Sequence, residues 1–105
     1  MSKIKADHIA INCKDINASV GWYCENLDAK IVYSDSTWAM LSLPGINIAL
    51  TKESQHPPHI GFEILDGCDF PEGREVKEHR DGSRYVYIED PDGNVIEYVK
   101  YPGAE

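Results

Sequence analysis

The chain has 105 residues and a formal net charge of −8, with 18 acidic side chains against 10 basic ones; it has the length of one domain and can bury a core without staples. That charge balance excludes a general nucleic-acid surface, which needs clustered Lys and Arg, and no apolar run approaches the roughly 18 residues that span a bilayer. With no signal-peptide pattern and three cysteines, Cys13, Cys24 and Cys68, in no metal-type pairing, the expectation is a cytoplasmic protein with reduced thiols.

In chain order, residues 5–13 alternate as a strand, with Ile9, Ile11 and Cys13 on one face and His8, Ala10 and Asn12 on the other. Asp15 reads as a helix cap, and Ile16, Val20, Tyr23, Cys24 and Leu27 then recur at helical spacing. Asp28 follows as a left-handed stop. Strands are expected at 30–34, 37–43 and 46–52, divided by the turn signals Asp35-Ser36 and Pro44-Gly45.

Pro57-Pro58 breaks the chain, and the order begins again. A strand is expected at 59–65, a weak one at 74–79, a good one at 83–89, and a last one at 95–101 after the turn Asp90-Pro91-Asp92-Gly93-Asn94. His8 and His59 each open an apolar run and lie 59 − 8 = 51 residues apart, close to half the chain. That spacing predicts an internal duplication of a strand–helix–three-strand unit within a single domain, 1–105, with modules at 1–55 and 56–105.

The copies are unequal. Residues 66–73 are interrupted by Gly67, Pro71 and Gly73, so the second helix is reduced or absent. The first helix should cover the face carrying Ile9 and Ile11. The matching face of the second half, with Ile60, Phe62, Ile64, Ile96 and Tyr98, has no local cover, so a partner subunit is expected there and a homodimer with it.

Both histidines fall on the strand face opposite the helix, beside small residues (Ala10, Asn12, Gly61) that leave room for a cavity. Glu97 alternates with Ile96 and Tyr98, and a carboxylate in such a pattern is costly to bury alone. Two imidazoles and a carboxylate satisfy one another by binding a divalent cation, and two His with one carboxylate form the facial triad of non-haem Fe(II) sites. A lone strand-opening histidine is ordinarily a hydrogen-bonded edge residue, but two at equivalent positions with a buried-pattern Glu favour the metal. Glu63 shares the His59 face and competes as the carboxylate, while His56, beside two prolines, reads as a loop residue.

The repeated unit, the openings His8-Ile9-Ala10-Ile11 and His59-Ile60-Gly61-Phe62, and the ending DPDGNVIEYV (90–99) resemble the vicinal oxygen chelate superfamily of glyoxalase I, extradiol dioxygenases and bleomycin/fosfomycin resistance proteins. The resemblance implies an α+β fold of two βαβββ modules forming a cupped, eight-stranded mixed sheet, with a metal in the cup. It carries His8, His59 and Glu97 over as ligands. A fourth ligand of the glyoxalase type would fall at Ala49, which cannot ligate, and Thr51 is a poor substitute.

Three ligands resemble the extradiol dioxygenases, whose pattern His, hydrophobic-Tyr, Pro-x-Gly, Glu is met by His79, Val86-Tyr87, Pro91-Asp92-Gly93 and Glu97. Lys77 departs from it, standing where a small or apolar residue is preferred. By this resemblance His79 and Tyr87 would hydrogen-bond substrate or oxygen. The structural alternative makes Tyr87 a packing residue and His79 a surface one. The implied activity is an Fe(II)-type dioxygenase, with Mn, Zn or Ni as other metals, acting on a small vicinal-oxygen compound. The alternatives are a metal-dependent lyase or isomerase, a thiol transferase, or a metal-free small-molecule binding or sequestering protein.

Overall fold

A computed structural model of the protein describes residues 3–65 and 67–102. The elements run β1 (Ile4–Asn12), α1 (Ile16–Leu27), β2 (Lys30–Ser34), β3 (Ala39–Leu43), β4 (Ile46–Thr51), β5 (His59–Ile64), β6 (Lys77–Glu78), β7 (Arg84–Glu89) and β8 (Val95–Lys100). The strands form a mixed eight-stranded sheet in the order β2-β3-β4-β1-β5-β8-β7-β6. The expected α+β class and strand count are both met, and α1 is the one helix among the described residues.

The chain folds as two compact units, one of residues 8–59 and the other of the described residues in 3–7 and 60–102. In the first, β1 runs parallel to β4, which is antiparallel to β3, which is antiparallel to β2. In the second, β5 runs parallel to β8, β8 is antiparallel to β7, and β7 to β6. The same pairing scheme occurs twice, as a duplicated unit requires.

The helix begins and ends where its sequence directs. Asp15 sits outside it with extended backbone, and its side chain accepts a hydrogen bond from Ala18 N; this satisfies one of the first-turn N–H groups that have no partner within the helix. Asp28 closes it at φ 56, in the left-handed region, with its N–H on the Tyr23 carbonyl. Ile16 and Val20 are buried against Ala29, Ala39, Leu41 and Leu50, with Ile11, Cys13, Tyr23 and Cys24 packed around them. All three cysteines are free and half-buried.

Four expectations need adjustment. Ile9 is 40% exposed, because a helix with only two buried residues covers the Ile11–Cys13 end of the strand and not Ile9. Leu27, in the last turn, is likewise exposed. Strand β3 starts at Ala39, later than expected, because Asp35 Oδ1 accepts hydrogen bonds from Thr37 N, Thr37 Oγ1 and Trp38 N and turns the chain there. Strand β6 shrinks to two residues.

The missing second helix is confirmed over the described residues 67–73, Asp66 lying outside them, but its sheet face is not bare. Ile64 is buried, Phe62, Ile96 and Tyr98 are half-buried, and Ile60 alone of the five is exposed. Part of the cover is local. The Phe70 ring lies 5.7 Å from the Arg84 guanidinium and 5.5 Å from the Lys100 ammonium, a pair that face each other across β7 and β8. No helix among the described residues is long and apolar enough to cross a membrane.

Candidate metal centre

The first unit holds the two histidines. His8 lies in β1 and His59 opens β5; both are buried, and their Nε2 atoms are 3.2 Å apart with the rings at 82°. Nitrogens that bind one ion at about 2.1 Å with angles between octahedral and tetrahedral stand roughly 3.0–3.4 Å apart, so the separation fits two ligands of one metal. In the parallel β1–β4 ladder His8 is level with Asn47 and Ala10 with Ala49. Position 49 is therefore on the His8 face, and its methyl group offers no donor. Thr51 is no substitute, since its hydroxyl donates to Asn12 Oδ1 at 2.9 Å.

Pro57-Pro58 does more than break the chain. The Pro57 carbonyl lies 2.7 Å from His59 Nδ1. A carbonyl only accepts, so Nδ1 carries the proton and the neutral ring keeps its lone pair on Nε2, the atom that faces His8. A residue before proline is confined to extended backbone, which fixes where that carbonyl points. A backbone acceptor on the far nitrogen is a common way of orienting a metal-binding histidine. The Pro-Pro-His run was the available signal, and sequence reading used it only as a boundary.

The second unit holds the carboxylate. Glu97 on β8 is 2% exposed, and its Oε2 accepts a hydrogen bond from His79 Nε2 at 2.8 Å. His79 sits just beyond β6, with its N–H on the Ser83 carbonyl; Asp81 caps Ser83 and Gly82 takes φ +90 in the tight turn between. Its ring stacks on Tyr85, centroids 3.7 Å apart at 8°. Tyr87 is directly opposite Glu97 in the β7–β8 ladder, and therefore on the same face. Burial first, then the Glu97 charge, push its phenol well above the ordinary 10.0. Tyr85 moves the same way for the same reasons. Both phenols stay protonated near neutral pH and can donate.

The sequence-predicted residues thus gather in two groups: His8 with His59, and Glu97 with His79 and Tyr87. His79 is no free surface residue, because it holds Glu97. Glu63, the competing carboxylate, is 3.8 Å from Lys5 Nζ, an exposed-type pair of small energetic weight. Tyr85, on which the His79 ring rests, was missed, as was the Asp81-Gly82 turn signal that places His79.

The duplicated sheet carries two buried imidazoles and a buried carboxylate, donor types that can hold a divalent cation. Residues 5–67 match the family described as the Glyoxalase/Bleomycin resistance protein/Dioxygenase superfamily, and the chain belongs to that superfamily. Among solved structures it is similar to a methylmalonyl-CoA epimerase in complex with methylmalonyl-CoA and NH4+, at 21% identity and TM-score 0.70 over 99% of each chain. It is also similar to a hypothetical protein from Bacillus halodurans C-125, at 15% identity and TM-score 0.76 over 99% of each. A superfamily member from Vibrio splendidus 12B01 matches at 16% identity and TM-score 0.64, over 92% of this chain and 98% of that one. At these identities the likeness is one of fold.

Proposed function

We propose that His8, His59 and Glu97, a group with the donor chemistry for a divalent cation, hold one such ion, Fe(II) before Mn, Zn or Ni, in an enzyme acting on a small compound with two adjacent oxygens. The observation that carries this is the His8–His59 pair, with both Nε2 atoms at ligand spacing and the His59 tautomer set by Pro57. When bound, the ion supplies positive charge and open positions for an anionic substrate, in a protein whose own charge is −8. Tyr87, kept protonated by burial, donates a hydrogen bond to a substrate oxygen. The specific reaction proposed is extradiol-type dioxygenation, since two His and one carboxylate leave room for a chelating substrate and O₂.

A metal-dependent isomerase is the second reading. It is favoured by the likeness to epimerase structures in complex with methylmalonyl-CoA or 2-nitronate-propionyl-CoA, and the same ion would then polarise a substrate carbonyl. A homodimer covering Ile60 belongs to the proposal too; a strictly monomeric species in sedimentation at micromolar concentration counts against it.

The test is metal content after anaerobic loading with Fe(II) or Mn(II), on the wild type and on His8→Ala, His59→Ala and Glu97→Ala. Near-stoichiometric metal in the wild type, with affinity lowered more than about 100-fold in each variant, is expected, beyond what loss of an outer partner costs. Absence of metal in the wild type would leave the metal-free binding protein. Metal without oxygen uptake on catechols, and with proton exchange next to a substrate carbonyl, would move the reading to isomerase.

A further inference from the structure

Glu97 is held through one of its carboxylate oxygens. His79 donates from Nε2 to Oε2 at 2.8 Å, and a carboxylate 2% exposed has little freedom to turn away from it. The donor is fixed from two directions. Its backbone is held by the hairpin bond to Ser83, and its ring lies flat on Tyr85, itself 9% exposed and met edge-on by Tyr87 at 5.1 Å. All of these residues lie in the second unit.

We infer that His79 is a positioning residue for the Glu97 carboxylate: its bond to Oε2 fixes the plane and reach of the group that serves the proposed metal. Tyr85 is the platform that keeps the imidazole in the plane where its N–H meets Oε2. The inference rests on the metal reading and deepens it. His79 accordingly commits its Nε2 proton to Glu97 and not to substrate, unlike the role implied by the extradiol resemblance. Outer hydrogen bonds of this kind orient ligands, and their loss typically costs 10–100-fold in metal affinity.

The experiment is chelator competition with Mn(II) and Co(II), read together with the visible absorption of the Co(II) protein. In His79→Ala the affinity should fall about 10–100-fold, and the Co(II) spectrum should change as the carboxylate loses its fixed orientation. His79→Gln, which keeps an N–H donor at similar reach, should recover most of the affinity. Tyr85→Leu removes the stacking platform while leaving both hydrogen-bonding partners, and should give a smaller loss, whereas Tyr85→Phe should behave as wild type. This series keeps the inference testable if His79→Ala does not fold. Wild-type affinity and an unchanged Co(II) spectrum in His79→Ala, or in both His79→Gln and Tyr85→Leu should the alanine variant not fold, overturn the inference while the metal reading stands. A wild type that takes up neither ion overturns both.

Discussion

The two units use one strand scheme and different means of holding it. The first covers a sheet face with a capped helix and buries an aliphatic cluster of Ile16, Val20, Leu41 and Leu50. The second has no helix among its described residues; beside the aliphatic Ile64, Val86 and Val99 it buries Tyr85 and Glu97, linked through His79 by an imidazole–carboxylate bond and stacked rings. A duplicated fold therefore does not require duplicated energetics. Aliphatic packing is non-directional and tolerant, whereas a buried polar network must satisfy each member and so fixes side-chain positions more tightly.

Truncation tests that contrast most sharply. Leu41→Ala, at a position with no exposure, should destabilise by about 2–5 kcal/mol through lost transfer energy and a residual cavity. Ile60→Ala in the second unit should cost about 1 kcal/mol or less in the monomer, because the side chain there is already half in water. Denaturant melts give both numbers, and equal losses would break the comparison.

The next effect belongs to the helix that only the first unit has. Asp15→Ala removes the acceptor for Ala18 N and should lower stability by about 1 kcal/mol, with Asp15→Ser close to wild type. Phe70→Ala then asks whether the loop replacing the second helix has a comparable role. It loses contact with Arg84 and Lys100 and should cost about 0.5–1 kcal/mol, with increased dye binding to the newly exposed Ile96–Tyr98 face. No change in either readout would return the task of covering that face wholly to a partner.

The smallest effect is in a turn of the first unit. Hydrogen bonds from the Thr37 hydroxyl, then the Tyr33 hydroxyl and the Thr37 backbone, hold the Asp35 carboxyl below its ordinary 3.8. A depressed folded value means the stabilisation is present above pH 3.8 and is lost as pH falls through the folded value. Asp35→Asn should therefore melt slightly lower than wild type at pH 7, and the gap should narrow below pH 3.8. A gap that is constant with pH would assign the effect to turn geometry alone.

Much of this was readable beforehand. The caps Asp15 and Asp28, the turn that Asp90 makes by accepting from Asp92 N and Asn94 N, and the paired histidine openings are local features whose physics acts within a few residues. Where a competing local bond intervened, as Asp35 did ahead of β3, the strand boundary moved.

By itself, then, the sequence determined the class, the duplicated strand order, the missing second helix and the candidate donors, because periodicity, capping and turn chemistry are short-range. Tertiary structure alone decided what those donors face. It set His59 Nε2 3.2 Å from that of His8, 51 residues away, gave His79 to a carboxylate 18 residues away, and placed Tyr85 beneath it. Such contacts depend on strand register and ring orientation, and a linear pattern carries neither.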